Sequence, residues 1–462
     1  MMLLLSGLAL AERFDVPADY GLEEAIAAAV DGDEIAVAPG EYEVALDYDG
    51  KELWVHSTEG PDETTLRGNE AGPVVTVAKQ AGEGTTLEGF TITGGGGTER
   101  QWIVGNGRMG GGVYVDRAHL TVRDCVFVDN NTVASGGSGG GGLFVSRSEV
   151  WVIDSVFQQN LGFYGGGAAL VSQGTLWIED SWFEGNLSRH GGALAALNDS
   201  RLLLTGNHFV DNQAGHGGAI FAKDSIVVSD GDTLHDNEVW HGGGGMALQG
   251  SVVTIRRGEM RRNRAQDDGG HIYAAQDTEL TISSTWLDQA QARAGGAVFL
   301  RGASSVLTGE GLLLSGNSAT ESGGDFWIGQ GRAVLSQLTS IQASVPADNA
   351  GAFLIAVSGA EVQVINSILY GGVGAKLVSL VSAEAEALHC MFSDYSGAIG
   401  AIAQISTVLG DPLLQSTDLS DVDPSLLDGS AAIDAGANGS LDKDGSRADL
   451  GATGGLSPWS PR

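Results

Sequence analysis

The sequence predicts an all-β chain: a single-stranded parallel β-helix of about twelve coils, with a helical cap at the N-terminus and a second cap at the C-terminus. Three observations carry this. A Gly-Gly step returns every 25 to 30 residues. A Phe-x-x-Asn mark returns in phase with it. The residues between the marks alternate apolar and polar over runs of three to five.

The glycine steps read GGVYV from Gly111, GGLFV from Gly141, GGAAL from Gly166, GGALA from Gly191, GGAIF from Gly217, GGMAL from Gly244, GGHIY from Gly269, GGAVF from Gly295 and GGDFW from Gly323. A degenerate AGAFL follows from Ala350. They account for much of a glycine content of 72 in 462 residues, about twice the usual ~7%. The second mark runs Phe127…Asn130, Phe157…Asn160, Phe183…Asn186 and Phe209…Asn212, and continues with other apolar residues at Leu234…Asn237, Met260…Asn263 and Leu314…Asn317. Runs such as Leu120–Arg123, Glu149–Ile153 and Thr175–Glu179 have period two and are too short for helices. One period therefore makes one coil of three short strands. Coils stacked at ~4.8 Å bring equivalent residues into columns and make a rod ~55–60 Å long. The phenylalanines should stack inside, each burial contributing roughly 1.5–3 kcal/mol. The asparagines suit a turn whose amides pair with the neighbouring rung.

In chain order, residues 1–11 read as a signal peptide, from the apolar run Met2–Leu10 and the small residues Ala9 and Ala11. Residues 12–84 form the N-terminal cap and first coils. Within them Leu22, Ile26, Ala29 and Val30 share one helical face, and Asp31-Gly32 ends the helix. Residues 85–410 are the repeat, and 411–462 a C-terminal cap or tail. Cys125 and Cys390 fall in the same column some ten rungs apart. Disulfide Cα atoms must approach to ~5.5 Å, so two free, buried thiols are expected in the place of Ser155 and Ser181.

The paired GGA[I/V/L] and Phe-x-x-Asn marks, over roughly residues 85–375, resemble the repeats of polymorphic outer membrane proteins, a family of surface adhesins and autotransporters. The resemblance implies a right-handed, pectate-lyase-like solenoid and an adhesive role at the outer membrane or cell surface. That family ends in a membrane β-barrel, and no series of ~10-residue alternating strands follows Gly400 here. The chain therefore reads as a passenger-type repeat on a secreted or otherwise attached protein. No ~20-residue apolar stretch suggests a transmembrane helix. The net charge of −34, from 24 basic and 58 acidic residues, repels phosphate backbones and argues against a nucleic-acid partner. Glycans or cell-surface proteins are the partners that fit.

Four groups are candidate sites. Asp211 and Asp236 lie one period apart, with Arg262 one period further. Stacking would bring the two carboxyl groups near the ~5–5.5 Å separation of retaining glycosidases, or would let them hold calcium and a uronate as polysaccharide lyases do. Arg256, Arg257, Arg261, Arg262 and Arg264 form a basic island that suits sulfated or uronate glycans, or balances charge between rungs. His190, His216 and His241 stack in one column, where three imidazoles could grip a transition metal. Gly215-His216-Gly217 also resembles a motif of β-helical pectin hydrolases. The Asn-Thr-Asp and Arg-Ile-Lys motifs of that family are absent, and Asp267-Asp268 falls after the Gly-His-Gly, so His216 reads as turn punctuation. Lastly, Asp442, Asp444 and Asp449 suggest a calcium loop, the one cofactor indicated. An EF-hand would need an acid where Gly451 stands. The main functional expectation is an adhesin-like binding protein; the alternatives are a lyase or hydrolase of acidic polysaccharide, or a structural rod of an envelope assembly.

Overall fold

A computed structural model describes residues 11–102, 105–133, 137–394, 398–400, 402–437, 441 and 446–453. The signal-peptide expectation for 1–11 thus lies almost wholly outside the described residues. The chain winds as a right-handed parallel β-helix with three long sheets of sixteen, fifteen and fourteen strands. We call them sheets I, II and III; in the rung at Glu149–Ile153 and Val156–Gln158 they are entered in the order III, I, II. The stack runs from Arg13–Val16 to Val408–Leu409. It is deeper than the about twelve coils read from the glycine marks, because the coils before Gly111 and after Ala350 lack the full mark.

Phe127, Phe157, Phe183 and Phe209 are fully buried and stack at centroid distances of 4.3, 4.9 and 4.8 Å, nearly parallel. Each Gly-Gly step answers two separate demands. Gly217 has φ +63°, a left-handed corner that a side chain disfavours. A Cβ on Gly218 would stand 2.2 Å from the Gly244 carbonyl oxygen, inside the backbone of the next rung.

Two polar ladders run through the interior. Asn130, Asn160, Asn186, Asn212, Asn237 and Asn263 are buried, and each Nδ2 donates to the Oδ1 of the next at 2.9–3.1 Å. The same Nδ2 atoms donate to main-chain carbonyls one rung back, so every amide is anchored on both sides. At the next rung Ala290 replaces asparagine, and His271 Nδ1 accepts the hydrogen bond from Asn263 Nδ2 at 3.0 Å. Burial pushes the His271 imidazole down to about 3, so it accepts as a neutral ring. The second ladder begins at Cys125, whose N–H donates to Ser155 Oγ, and continues through Ser181 to Asn207. Both cysteines are free and buried as expected, and burial pushes each thiol up to about 12.

The helix spans Leu22–Ala28 and buries Leu22, Ala25 and Ile26. Val30, expected on the buried face, is 56% exposed because the chain turns extended at Ala29. Lys51 Nζ donates to the carbonyls of Ile26 and Ala27, neutralising the negative end of the helix.

At the other end, the chain from Leu414 runs back along the outside of sheet II. Leu414, Val422, Ala432 and Leu450 pack on Leu313, Ile341, Ile368 and Met391, which are fully buried although they point away from the core. The C-terminal segment is thus a strap along the flank of the last rungs. Among the described residues no helix is long and apolar enough to cross a membrane.

Candidate functional site

Between sheet II and a small fourth sheet of five short strands, every rung turns through a left-handed corner. Asp129, Asp211, Asp236, Arg262, Gln289 and Gln342 hold φ between +51° and +57° there, and Gly185, Gly316 and Gly371 take the same place on other rungs. The residue after the corner, asparagine on most rungs and Ala290 or Ala343 on others, is buried, so the corner residue points to solvent. The sequence column containing Asp211, Asp236 and Arg262 is this line of corners.

The three predicted residues are indeed neighbours on successive rungs. Arg262 Nε and Nη2 donate to the two oxygens of Asp236 at 2.8 and 2.6 Å, a closed two-pronged pair. Partial burial, and then the charge of Asp236, push the Asp211 carboxyl above its usual range. The basic island is largely spent on neighbouring rungs. Arg257 makes a two-pronged pair with Asp230 at 2.8 and 2.6 Å. Arg261 Nε donates to Asp288 at 3.0 Å while its guanidinium lies 4.6 Å from the Trp286 ring. Arg256 and Arg264 are exposed and make no ion pair among the described residues.

His190, His216 and His241 also stack, with ring centroids 5.6 and 4.9 Å apart. Stacked rings present their nitrogens sideways. His190 Nδ1 donates to the Tyr164 carbonyl at 2.9 Å and His241 Nδ1 lies 3.1 Å from Asp267. Burial lowers His190 and takes His216 down to about 4. Among the described residues, no group of three His, Cys, Asp or Glu side chains is placed to hold a metal ion. In-register stacking holds the rings face to face, so the column sets their nitrogens one above another and does not gather them around one point. Of the calcium candidates, Asp442 and Asp444 lie outside the described residues. Asp449 Oδ1 accepts the Asp434 N–H at 2.8 Å, a contact within the strap.

The strap creates what the sequence did not announce: a groove between its outer loop and the line of corners. The first part, about 760 Å³, is lined by Arg262, Arg264, Gln289, Gln291 and Gly316 on the rod and by Asp418, Leu419 and Ser420 on the strap. A second part of about 470 Å³ continues past Leu419 along Gln342, Ser344, Tyr370 and Gly371, and reaches Asp394 and Thr417. Gln289 Nε2 donates to the Leu419 carbonyl at 3.2 Å and Gln342 Nε2 to the Thr417 carbonyl at 3.0 Å, pinning the wall to the rod. Leu419 divides the two parts by seating on Gly316, where a Cβ would come within 2.9 Å of its methyl. Arg262 and Arg264 are the predicted residues that line this groove; Asp211 and Asp236 stand beyond its end. Gln289, Gln291 and Gln342 were missed, although Gln289 and Gln291 lie one period after Arg262 and Arg264, and Gln342 three periods after Arg262.

No curated protein matches the sequence. Several solved structures are similar in fold at low identity. The surface adhesin PfbA of Streptococcus pneumoniae shares 10% identity over 79% of this chain and 85% of its own, with a TM-score of 0.34. The PL6 family polysaccharide lyase Pedsa3628 of Pseudopedobacter saltans shares 11% over 92% and 98%, with a TM-score of 0.36. Pectate lyase Pel9A shares 14% over 96% and 97%, with a TM-score of 0.31. Residues 80–257 match the family model of the right handed beta helix region, and the coils observed on either side extend that architecture along the rod.

Proposed function

We propose that this chain is a secreted or cell-surface binding protein that takes an extended glycan into the groove beneath the strap. The observation that carries this reading is the lining. Arg262 and Arg264, Gln289 and Gln291, and Gln342 and Ser344 line the groove from the rod, so guanidinium, amide and hydroxyl groups stand on three of its rungs. The rung repeat of ~4.8 Å is comparable with the length of one sugar unit, so the units of an extended polymer run in step with these groups. Arg264, free of ion pairs among the described residues, supplies positive charge for uronate or sulfate groups.

The test is retention on a glycan array of acidic and neutral polysaccharides, repeated with Arg264→Ala and Gln291→Ala. We expect the wild-type protein to retain a polysaccharide and each variant to weaken it at least tenfold. Wild-type retention unaltered by both changes would remove the groove from the account. The enzymatic alternative, a lyase or hydrolase of acidic polysaccharide, is favoured by the raised Asp211 carboxyl beside Asp236. Cleavage products that appear with wild-type protein and vanish with Asp211→Asn would establish it in place of simple binding.

A further inference from the structure

Past the far ends of the strands Gln291–Ala294 and Ser318–Ser322, the chain meets the outer face of sheet III over a separate cleft of about 360 Å³. Phe299 and Trp327 line its floor, at the end of an aromatic stack. Tyr273, Phe299 and Trp327 stack on successive rungs at 5.4 and 4.1 Å, with planes within 9° of parallel. Phe299 is buried and Trp327 half-buried. The indole leans along its own strand over Gly329, where any Cβ would lie 2.4–2.5 Å from the ring. A residue other than glycine there would push the indole off its seat.

The walls are charged and balanced. Arg293 bridges Asp268 and Glu321, donating to each at 2.7 Å. Asp268 is largely shielded, with 17% of its side chain exposed, and burial pushes its carboxyl above the usual range. Arg301 borders the cleft, is exposed, and makes no ion pair among the described residues. Two carboxylates face two guanidiniums, so the lining carries no net charge although the chain as a whole carries −34. Such a site gives a free ion of either sign little advantage. Carboxylate and guanidinium groups instead make charge-assisted hydrogen bonds with hydroxyls, and the part of the half-buried indole not covered by Phe299 gives an apolar surface against which a sugar ring can lie.

We infer that the cleft over Phe299 and Trp327, walled by Asp268, Arg293, Arg301 and Glu321, is a second binding site that takes a neutral pyranose. It extends the glycan reading to the opposite end of the small sheet and is independent of the groove under the strap. The test is calorimetric titration with a panel of neutral hexoses, N-acetylhexosamines and their disaccharides. The proteins compared are wild type, Trp327→Ala, Trp327→Phe, Arg301→Gln and the groove variant Arg264→Ala, with circular dichroism to verify the coil. We expect one neutral sugar to bind wild type, Trp327→Ala and Arg301→Gln to weaken it at least tenfold, Trp327→Phe to restore most of the loss, and Arg264→Ala to change nothing. Sugar binding lost in Arg264→Ala but kept in Trp327→Ala would overturn the inference and leave the groove reading standing. Polysaccharide retention with no neutral sugar bound would overturn it as well, and absence of both would sink the two together.

Discussion

Asp325 offers a sharp test of the interior. It is 1% exposed and occupies the column held by Ala297 on the preceding rung and Ala352 on the following one. Its Oδ1 accepts from Asn317 Nδ2 at 2.9 Å and its Oδ2 from Ser340 Oγ at 2.5 Å. Burial outweighs both bonds and pushes the carboxyl from 3.8 to about 7. The consequence for stability has a definite sign. Below pH 3.8 the folded and unfolded chains both carry the proton, and Asp325 imposes no cost. Between there and about pH 7 the unfolded chain releases a proton that the folded chain keeps, so stability falls as pH rises; above that it levels off. About three pH units at ~1.36 kcal/mol each give a loss on the order of 4 kcal/mol. Asparagine at this position can accept from Asn317, donate to Ser340 and never ionise. Asp325→Asn should therefore be close to neutral at pH 4 and stabilising by roughly 2–4 kcal/mol at pH 8. Urea midpoints followed by tryptophan fluorescence at pH 4, 6 and 8, compared at each pH, read this directly. His271 works in the opposite direction: lowered from 6.5 to about 3, it withdraws stability as pH falls through that window, and taking the difference between variants removes it. A constant destabilisation by Asp325→Asn at all three pH values would refute the reasoning, since it would mean that the network holds the charged form.

Other outcomes follow from the same geometry. Asn186→Leu removes an amide that serves Phe157 O, Asn212 Oδ1 and both Asn160 nitrogens. With buried groups left unpaired at ~1–3 kcal/mol each, it should cost about 3 kcal/mol or more, seen as a lower urea midpoint. Cys125 and Cys390 should resist a thiol reagent at pH 8 in the native protein and react fully in denaturant; fast native labelling would contradict their burial. Removing residues 411–462 should bare Leu313, Ile341, Ile368 and Met391, raising hydrophobic-dye binding and promoting association; an unchanged, monodisperse product would show that the strap is dispensable.

Much of this architecture was legible because a solenoid turns sequence period into spatial adjacency. Phe157 and Phe183 are 26 residues apart and touch. The same arithmetic put Asp236 beside Arg262, but period alone does not say that the guanidinium closes on both carboxylate oxygens instead of leaving them for a substrate. Stacking was likewise foreseeable for the histidines, while the face-to-face orientation that turns their nitrogens aside depends on ring geometry. The strap was opaque for a different reason. Its bond from Gln289 to Leu419 spans 130 residues with no repeat to announce it. A trace did exist in Leu312-Leu313-Leu314 and Ile368-Leu369, where alternation gives way to unbroken apolar residues, as a strand covered on both faces requires. The aromatic floor on sheet III left a similar trace, since Tyr273, Phe299 and Trp327 recur at one period on the face opposite the core.

The asparagine ladder has one further consequence. Because each amide donates to the rung ahead and accepts from the rung behind, the interior from Asn130 to Asn263 is directional, and any of its links can be exchanged for another. Duplicating or excising one whole period would lengthen or shorten the molecule by ~4.8 Å while leaving each junction chemically the same, whereas a single inserted residue would throw every later amide out of step. Length is thereby a quantity that gene duplication can adjust in fixed increments, and the span of the rod can evolve without redesigning what lies at either end.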